Sequence, residues 1–325
     1  MAGVLEQVDL REAGAVRGAL EAGARACRAM AVRRGCCEIV NVGPAHAGTP
    51  AGTLIATGDL HDNPLHLARV ARAAGLDAAW ETAEAGGKQP PHFPDDAAGP
   101  AHLILHELIH GDRLINGLDY SYRVLTRAAA LKAAFPTRVH VLMANHEMAQ
   151  LTGSPVAKEG VRCNEAFDEA LDAAFGDGAG SVRAAVHAFI GALPLAVRFV
   201  RSARPGEDVL CAHSVPGPDR IAAFDPGVLD RELTPEDFKA RVGAAHQMVW
   251  GRGHEPDGLR SLAERWGVSL FILGHEKAED GWLIVEPNAV VLNSDHERGV
   301  YAPLDLTARL TPESVARACV RLADA

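Results

Sequence analysis

Long apolar runs are missing from this 325-residue sequence. No stretch of about 18 uncharged apolar residues occurs, which argues against a helix crossing a membrane. The six cysteines, Cys27, Cys36, Cys37, Cys163, Cys211 and Cys319, include no pair at Cys-x-x-Cys spacing. A chain of this length needs no disulfide staples, so free thiols in a reducing compartment are expected. The adjacent pair Cys36-Cys37 reads as packing, because neighbouring cysteines seldom bridge comfortably. Positive charge is also in deficit, with 32 Lys and Arg against 42 Asp and Glu. A protein that coats nucleic acid needs a basic footprint, so that class is disfavoured, although a local pocket for one phosphate is compatible with the balance. No basic segment followed by an apolar run marks residues 1 to 7, and the expected location is the cytoplasm. What remains is the composition of a globular protein, long enough for one large core or two modest ones.

Residues 3 to 35 read as an alanine-rich helix, with Leu5, Val8, Val16, Leu20 and Cys27 loosely on one side. Strand-like runs follow at 38–42, 52–57, 101–105 and 139–143, then at 196–200, 208–211 and 269–273. Residues 282–285 and 289–292 resemble a closing hairpin. Helices are expected at 64–74, where Pro64 suits a first turn, and at 119–135, stopped by Pro136. The stretch 81–100, rich in Pro, Gly and acid, reads as a surface excursion. Residues 148 to 193 read as a helical insertion. One domain spanning 1–325 is expected, with a helical extension over about 1–37.

The informative pattern is a repeated event. Five of the strand-like runs lead, directly or within a few residues, to Asp, Asn or His beside a small residue. Sites in α/β sheets form where the carboxyl ends of strands meet. Asp59, His61, Asp112, Asn145, His213 and His275 are therefore expected to face one crevice. Imidazole, carboxylate and amide oxygen together suit Mn, Fe, Zn or Co, and the absence of thiolate argues against structural zinc. Two cations bridged by one carboxylate can activate water and stabilise the charge of a transferring phosphoryl group.

The motifs Asp59-Leu60-His61-Asp62-Asn63, Gly111-Asp112, Asn145-His146-Glu147, His213 and Gly274-His275 occur in the order found in calcineurin-like metallophosphoesterases. The sequence is most similar to the branch of serine/threonine protein phosphatases and diadenosine tetraphosphate hydrolases. Glu147 after His146 and the segment Glu279-Asp280-Gly281-Trp282 carry that likeness, and Lys277 stands where many other members have a second His. The resemblance implies an α/β fold, a sandwich of two mixed sheets flanked by helices. It implies one metal on Asp59, His61 and Asp112, and a second on Asp112, Asn145, His213 and His275, with manganese the favoured ion. It also implies His146 as general acid and Arg252, in Trp250-Gly251-Arg252-Gly253, as a phosphate contact.

Departures accompany the likeness. Counted from Asp112, the family's acid-orienting Asp and phosphate-binding Arg fall on Ile115 and Asn116. Asp62 replaces a usual Gly and adds a carboxylate. His106-Glu107-Leu108-Ile109-His110 matches a zinc-protease pattern, which works only when both His share a helix face; here a strand precedes it and Gly111 cuts it short. The expected activity is hydrolysis of a phosphate monoester on a phosphoprotein or small metabolite. Two alternatives stand beside it. A dinucleoside polyphosphate hydrolase would need a longer basic groove, for which the linear sequence shows no cluster. A metal-binding scaffold would follow if the missing partners at 115 and 116 had abolished turnover.

Overall fold

Strands buried on both faces read as continuous apolar runs, and each run here divides its residues between two different cores. The computed structural model describes residues 4–30, 33–43, 52–85, 99–158, 160–202 and 204–325. Helix α1 (Ala13–Arg28) precedes the strands β1 (Arg33–Arg34) and β2 (Cys37–Val42). Two consecutive βαβ crossings follow: β3 (Thr53–Thr57), α2 (Pro64–Ala73), α3 (Leu76–Ala85), β4 (His102–Leu105), α4 (Tyr122–Ala134) and β5 (Val139–Val141). Next come α5 (Asn145–Thr152), a ribbon of β6 (Ala157–Lys158) and β7 (Val161–Arg162), then α6 (Cys163–Phe175) and α7 (Ala179–Ile190). The chain continues through β8 (Ala196–Arg201), β9 (Val209–Ala212), α8 (Ala244–Trp250), α9 (Pro256–Trp266) and β10 (Leu270–Leu273). It ends with β11 (Trp282–Val285), β12 (Ala289–Leu292), β13 (Val300–Asp305), α10 (Pro312–Ala318) and β14 (Val320–Arg321).

Seven strands form one mixed sheet, in the order β1-β2-β8-β9-β10-β12-β11, and five form the other, β14-β13-β3-β4-β5. Leu54 and Ala56 of β3, Ile104 of β4, Leu270 and Ile272 of β10, and Val290 and Leu292 of β12 fill the space between the sheets. Their neighbours Ile55, Leu103, Leu105, Phe271, Leu273, Ala289 and Val291 turn the other way and pack with helical residues. This alternation is the two-residue period of a strand with apolar cover on both sides. The α/β sandwich of two mixed sheets flanked by helices matches the expected architecture.

Differences from the expected elements have local causes. The N-terminal helix runs only over Ala13–Arg28 and is capped by the Glu12 carboxylate. Of the excursion at 81–100, α3 covers the first residues, and 86–98 lie outside the described residues. Strand β13 is not among the expected elements; its Pro303 lies past the last pair with β14, so its missing N–H removes no bond on that side. The ribbon β6–β7 lies within the stretch 148–193 expected as a helical insertion. All six cysteines are free and five are buried; burial pushes the Cys36 thiol up to about 12. Among the described residues, no helix is long and apolar enough to cross a membrane.

A fully buried polar chain joins the two sheets to α4. Arg138 donates to His102 Nε2 (3.0 Å), whose Nδ1 lies 3.1 Å from His140 Nε2, whose Nδ1 lies 2.6 Å from Glu38 Oε2. Lys132 closes the series by donating to Glu38 Oε1 (2.9 Å). Each link has one donor and one acceptor, which is what makes burial of these groups tolerable.

Candidate metal centre

Strands β3, β4, β5, β9 and β10 end at one edge, and the residues just past them converge there. Asp59 bridges the sheets through pairings with His106 on one side and Asn293 on the other. The approach leaves no room for a side chain at Gly58, where a Cβ would lie 1.9 Å from the Leu292 carbonyl oxygen. Gly274 is equally constrained, since a Cβ there would meet His106 Cε1 at 2.3 Å. The Asp59 carboxylate accepts from the backbone N–H of His275 (2.9 Å), which ties β3 to the turn after β10.

Glu107 is the hub. It is 4% exposed, and its Oε1 lies 3.4 Å from both His61 Nε2 and His146 Nε2. Its Oε2 lies 3.0 Å from His213 Nε2. Around that same His213 nitrogen stand Asn145 Oδ1 at 2.8 Å and His275 Nδ1 at 3.1 Å. Three small groups of potential ligands overlap here: Asp59, His61 and Glu107; Glu107, His213 and His275; and Asp59, His106 and His213.

Hydrogen-bond logic places lone pairs inward. His61 Nδ1 donates to the Ile109 carbonyl (3.2 Å), so a neutral His61 keeps its lone pair on Nε2, the atom that faces Glu107. His106 Nε2 donates to the Thr57 carbonyl (2.9 Å), so a neutral His106 presents Nδ1 as an acceptor to His213 Nδ1, 3.0 Å away. Burial, with His213 beside it, brings His106 down to about 3, in keeping with a neutral ring. His213 then carries its hydrogen on Nδ1 and aims the Nε2 lone pair at Glu107, Asn145 and His275. Among the described residues, Glu107 Oε2 and His275 Nε2 are buried without a hydrogen-bond partner. Converging acceptors with orphaned lone pairs are unfavourable alone and fit a cation. Burial and the neighbouring Glu107 push Asp59 well above the usual carboxylate range, the expected response of two carboxylates forced together without positive charge. The residues present therefore fit divalent metal.

The structure brings together Asp59, His61, Asn145, His213 and His275, with His146 beside Glu107. It does not bring Asp112 there. The Asp112 side chain is 74% exposed, and its nearest charged partner is Lys158 Nζ at 3.9 Å. Glu107 stands where Asp112 was expected. It follows β4 by two residues, just as Asp59 follows β3, whereas Asp112 lies five residues further on. Counting from Glu107 also moves the partner positions. His110 and Gly111, not Ile115 and Asn116, are the residues to compare with the family's orienting Asp and phosphate-binding Arg. The zinc-protease pattern is no helix, because Glu107 (φ 48°) and His110 (φ 59°) are both left-handed. A carboxylate two residues beyond an apolar strand is the signal in the sequence that could have pointed to Glu107, and the match to another motif obscured it.

His110 Nδ1 donates to Asp119 Oδ2 (2.8 Å), and its ring centroid lies 5.4 Å from that of His146. Burial holds His146 down to about 3, against the pull of Glu107. Glu147 accepts from the backbone N–H of Leu108 (2.7 Å), fastening the Glu107 loop to α5. Lys158, on the β6–β7 ribbon, reaches His61 Nε2 (3.3 Å) and the His110 carbonyl (3.0 Å). Burial, with the charge of Asp119 acting on it, raises Asp62 to about 7. Arg252 lies outside the cluster, yet its charge weighs on both Asp59 and His275. It lines a separate groove with Arg220 and Arg241, a basic cluster that the linear sequence concealed.

A family model described as calcineurin-like phosphoesterase matches residues 52–278. No curated relative matches the chain. Solved structures share the fold. A protein serine/threonine phosphatase from Saccharomyces cerevisiae with similarity to human phosphatase PP5 is 13% identical, with a TM-score of 0.59, over 90% of this chain and 83% of that one. A cold-active protein-tyrosine phosphatase of a psychrophilic Shewanella species is 14% identical, with a TM-score of 0.50, over 83% of this chain and 77% of that one.

Proposed function

Because the chain belongs to the calcineurin-like phosphoesterase family and is a metal-dependent phosphoric ester hydrolase, we propose that it cleaves phosphate monoesters at the Glu107 cluster. The arrangement of Glu107 between His61, His146 and His213, within 3.0–3.4 Å of each, carries this assignment. Asp59, His61 and Glu107 would hold one divalent ion, and Glu107, Asn145, His213 and His275 a second, with manganese the first ion to test. Two such ions supply a deprotonated water and charge stabilisation for an in-line displacement.

The protein's own groups do the rest. His146, with Nε2 3.4 Å from Glu107 Oε1, is the group placed to give a proton to the leaving oxygen. Asp119 orients His110, and His110 packs against His146, supplying the positioning that an Asp gives in the resembled phosphatases. Lys158, which reaches His61, and Arg252, whose charge acts on Asp59 and His275, grip the phosphate oxygens, Lys158 substituting for an Arg absent at Gly111. Loss of the usual partners at 115 and 116 thus no longer argues for an inert scaffold.

The substrates favoured are phosphoproteins and small phosphorylated metabolites, in the cytoplasm, without nucleic-acid or membrane partners. The test is release of phosphate from an aryl monoester and the matching diester across metals, with Glu107→Gln as control. Manganese-stimulated monoester hydrolysis lost in the variant supports the assignment. Hydrolysis of the diester alone, or turnover retained in Glu107→Gln, overturns it.

A further inference from the structure

The groove beside the cluster has its own chemistry. Gly217, Asp219, Arg220, Arg241, Trp250 and Arg252 are among the residues that bound a cavity of about 290 Å³. That is near the lower end, roughly 300 Å³, of sites that enclose a small organic molecule. Three arginines and one carboxylate, Asp219, are among the lining residues, and Asp219 is already paired with Arg220 (3.0 Å). In a chain of net charge -10 this is a local reversal of sign. Fixed positive charge in a concave wall concentrates anions.

The groove is joined to the metal centre. The Trp250 ring lies 6.0 Å from that of His275, nearly perpendicular, and Arg252 acts electrostatically on Asp59 and His275. The opposite face of the wall is organised too. His246 stacks on Trp250 at 5.7 Å and 21°, and its Nδ1 accepts from the Arg241 backbone N–H (3.3 Å). That hydrogen bond holds Arg241 in a left-handed conformation (φ 67°) that an ordinary side chain rarely adopts. Guanidinium forks favour the planar, multidentate recognition of phosphate.

We infer that this groove is a second anion subsite, and that the substrate is an organic bisphosphate with one phosphate at the Glu107 cluster and the other between Arg220 and Arg241. The inference rests on the hydrolase assignment above and narrows its substrate class. It also explains how an acidic protein would select an acidic substrate without a broad basic surface.

The test uses the manganese-loaded full chain with alkane-α,ω-diyl bisphosphates of two to eight carbons, each against its matching alkyl monophosphate. Wild type should prefer the bisphosphate in kcat/KM by at least about tenfold at one chain length, beyond the statistical factor of two. The double variant Arg220→Glu, Arg241→Glu should lose that preference, chiefly through KM, with its thermal melting intact. Turnover of the monophosphates with no preference at any length overturns this inference and leaves the hydrolase assignment standing. If nothing is turned over, calorimetric titration of both proteins with the same bisphosphates decides. Binding to wild type that the double variant loses keeps the subsite and overturns the hydrolase assignment, and no binding overturns both.

Discussion

His106 Nδ1 lies 3.0 Å from His213 Nδ1, and only one of these two buried nitrogens can carry the shared hydrogen. Since His106 spends its own N–H on the Thr57 carbonyl, His213 is the donor. The neighbour thereby sets which His213 nitrogen is available to metal. Partners of this kind orient a ligand and raise its basicity, and their loss typically costs 10- to 100-fold in metal affinity.

His106→Phe keeps a ring of similar bulk but removes the acceptor. It should weaken manganese binding by roughly 10- to 100-fold, measured by competition against a calibrated chelator. His106→Gln, which retains an acceptor, should recover part of the loss. Equal affinity in His106→Phe would show that His213 needs no such partner.

Glu107→Gln and Asp112→Asn separate the two candidate carboxylates. Glu107→Gln should abolish stoichiometric metal binding, because it removes a charge shared by two of the three groups of potential ligands. Asp112→Asn should keep it, since that side chain is solvent-exposed. Metal analysis after desalting reads both, and the reverse pattern would return the central role to Asp112.

His146→Ala should leave metal content intact and lower turnover by about 10²- to 10⁴-fold for alkyl esters, the range for a general acid. The loss should shrink for aryl esters with good leaving groups. Asp119→Asn should lower turnover in the same direction but less, and shift the pH profile, because it acts through His110. A loss independent of leaving group would remove His146 from the role of acid.

Saturating manganese should stabilise the fold. Binding to the native state alone at 100-fold excess over Kd contributes about 2.7 kcal/mol, visible as a rise in Tm. Glu107→Gln should show none of that rise.

Glu38 governs part of the acid response. Burial would raise this carboxyl, but Lys132 and His140 reverse the effect and hold it at about 2, below its ordinary 4.5. A depressed carboxyl stabilises the fold above the ordinary value, and the contribution is lost as pH falls through the folded one. Its share of acid unfolding therefore lies between about pH 4.5 and about 2. Glu38→Gln should flatten that part of the stability curve and cost about 3–5 kcal/mol at neutral pH, because Lys132 is left buried without its counter-charge. Denaturant titrations across pH measure both.

Apolar runs in the sequence determined the α/β class, most of the strands and most of the polar residues at their ends. The two-sheet sandwich followed from the resemblance, and β13 only from the structure. Two-residue apolar periodicity is local information, and Asp59, His61, Asn145, His213 and His275 each sit just beyond such a run. Tertiary structure alone decided which side chain after β4 turns inward. The left-handed backbone at Glu107 and His110 is held by Glu147, Ser121 and Asp119, and such contacts leave no periodic trace. Arg252 was already implied by its motif, but Lys158, Arg220 and Arg241 come from other segments of the chain. Their nearness to the site is a product of packing, which no run of neighbouring residues encodes.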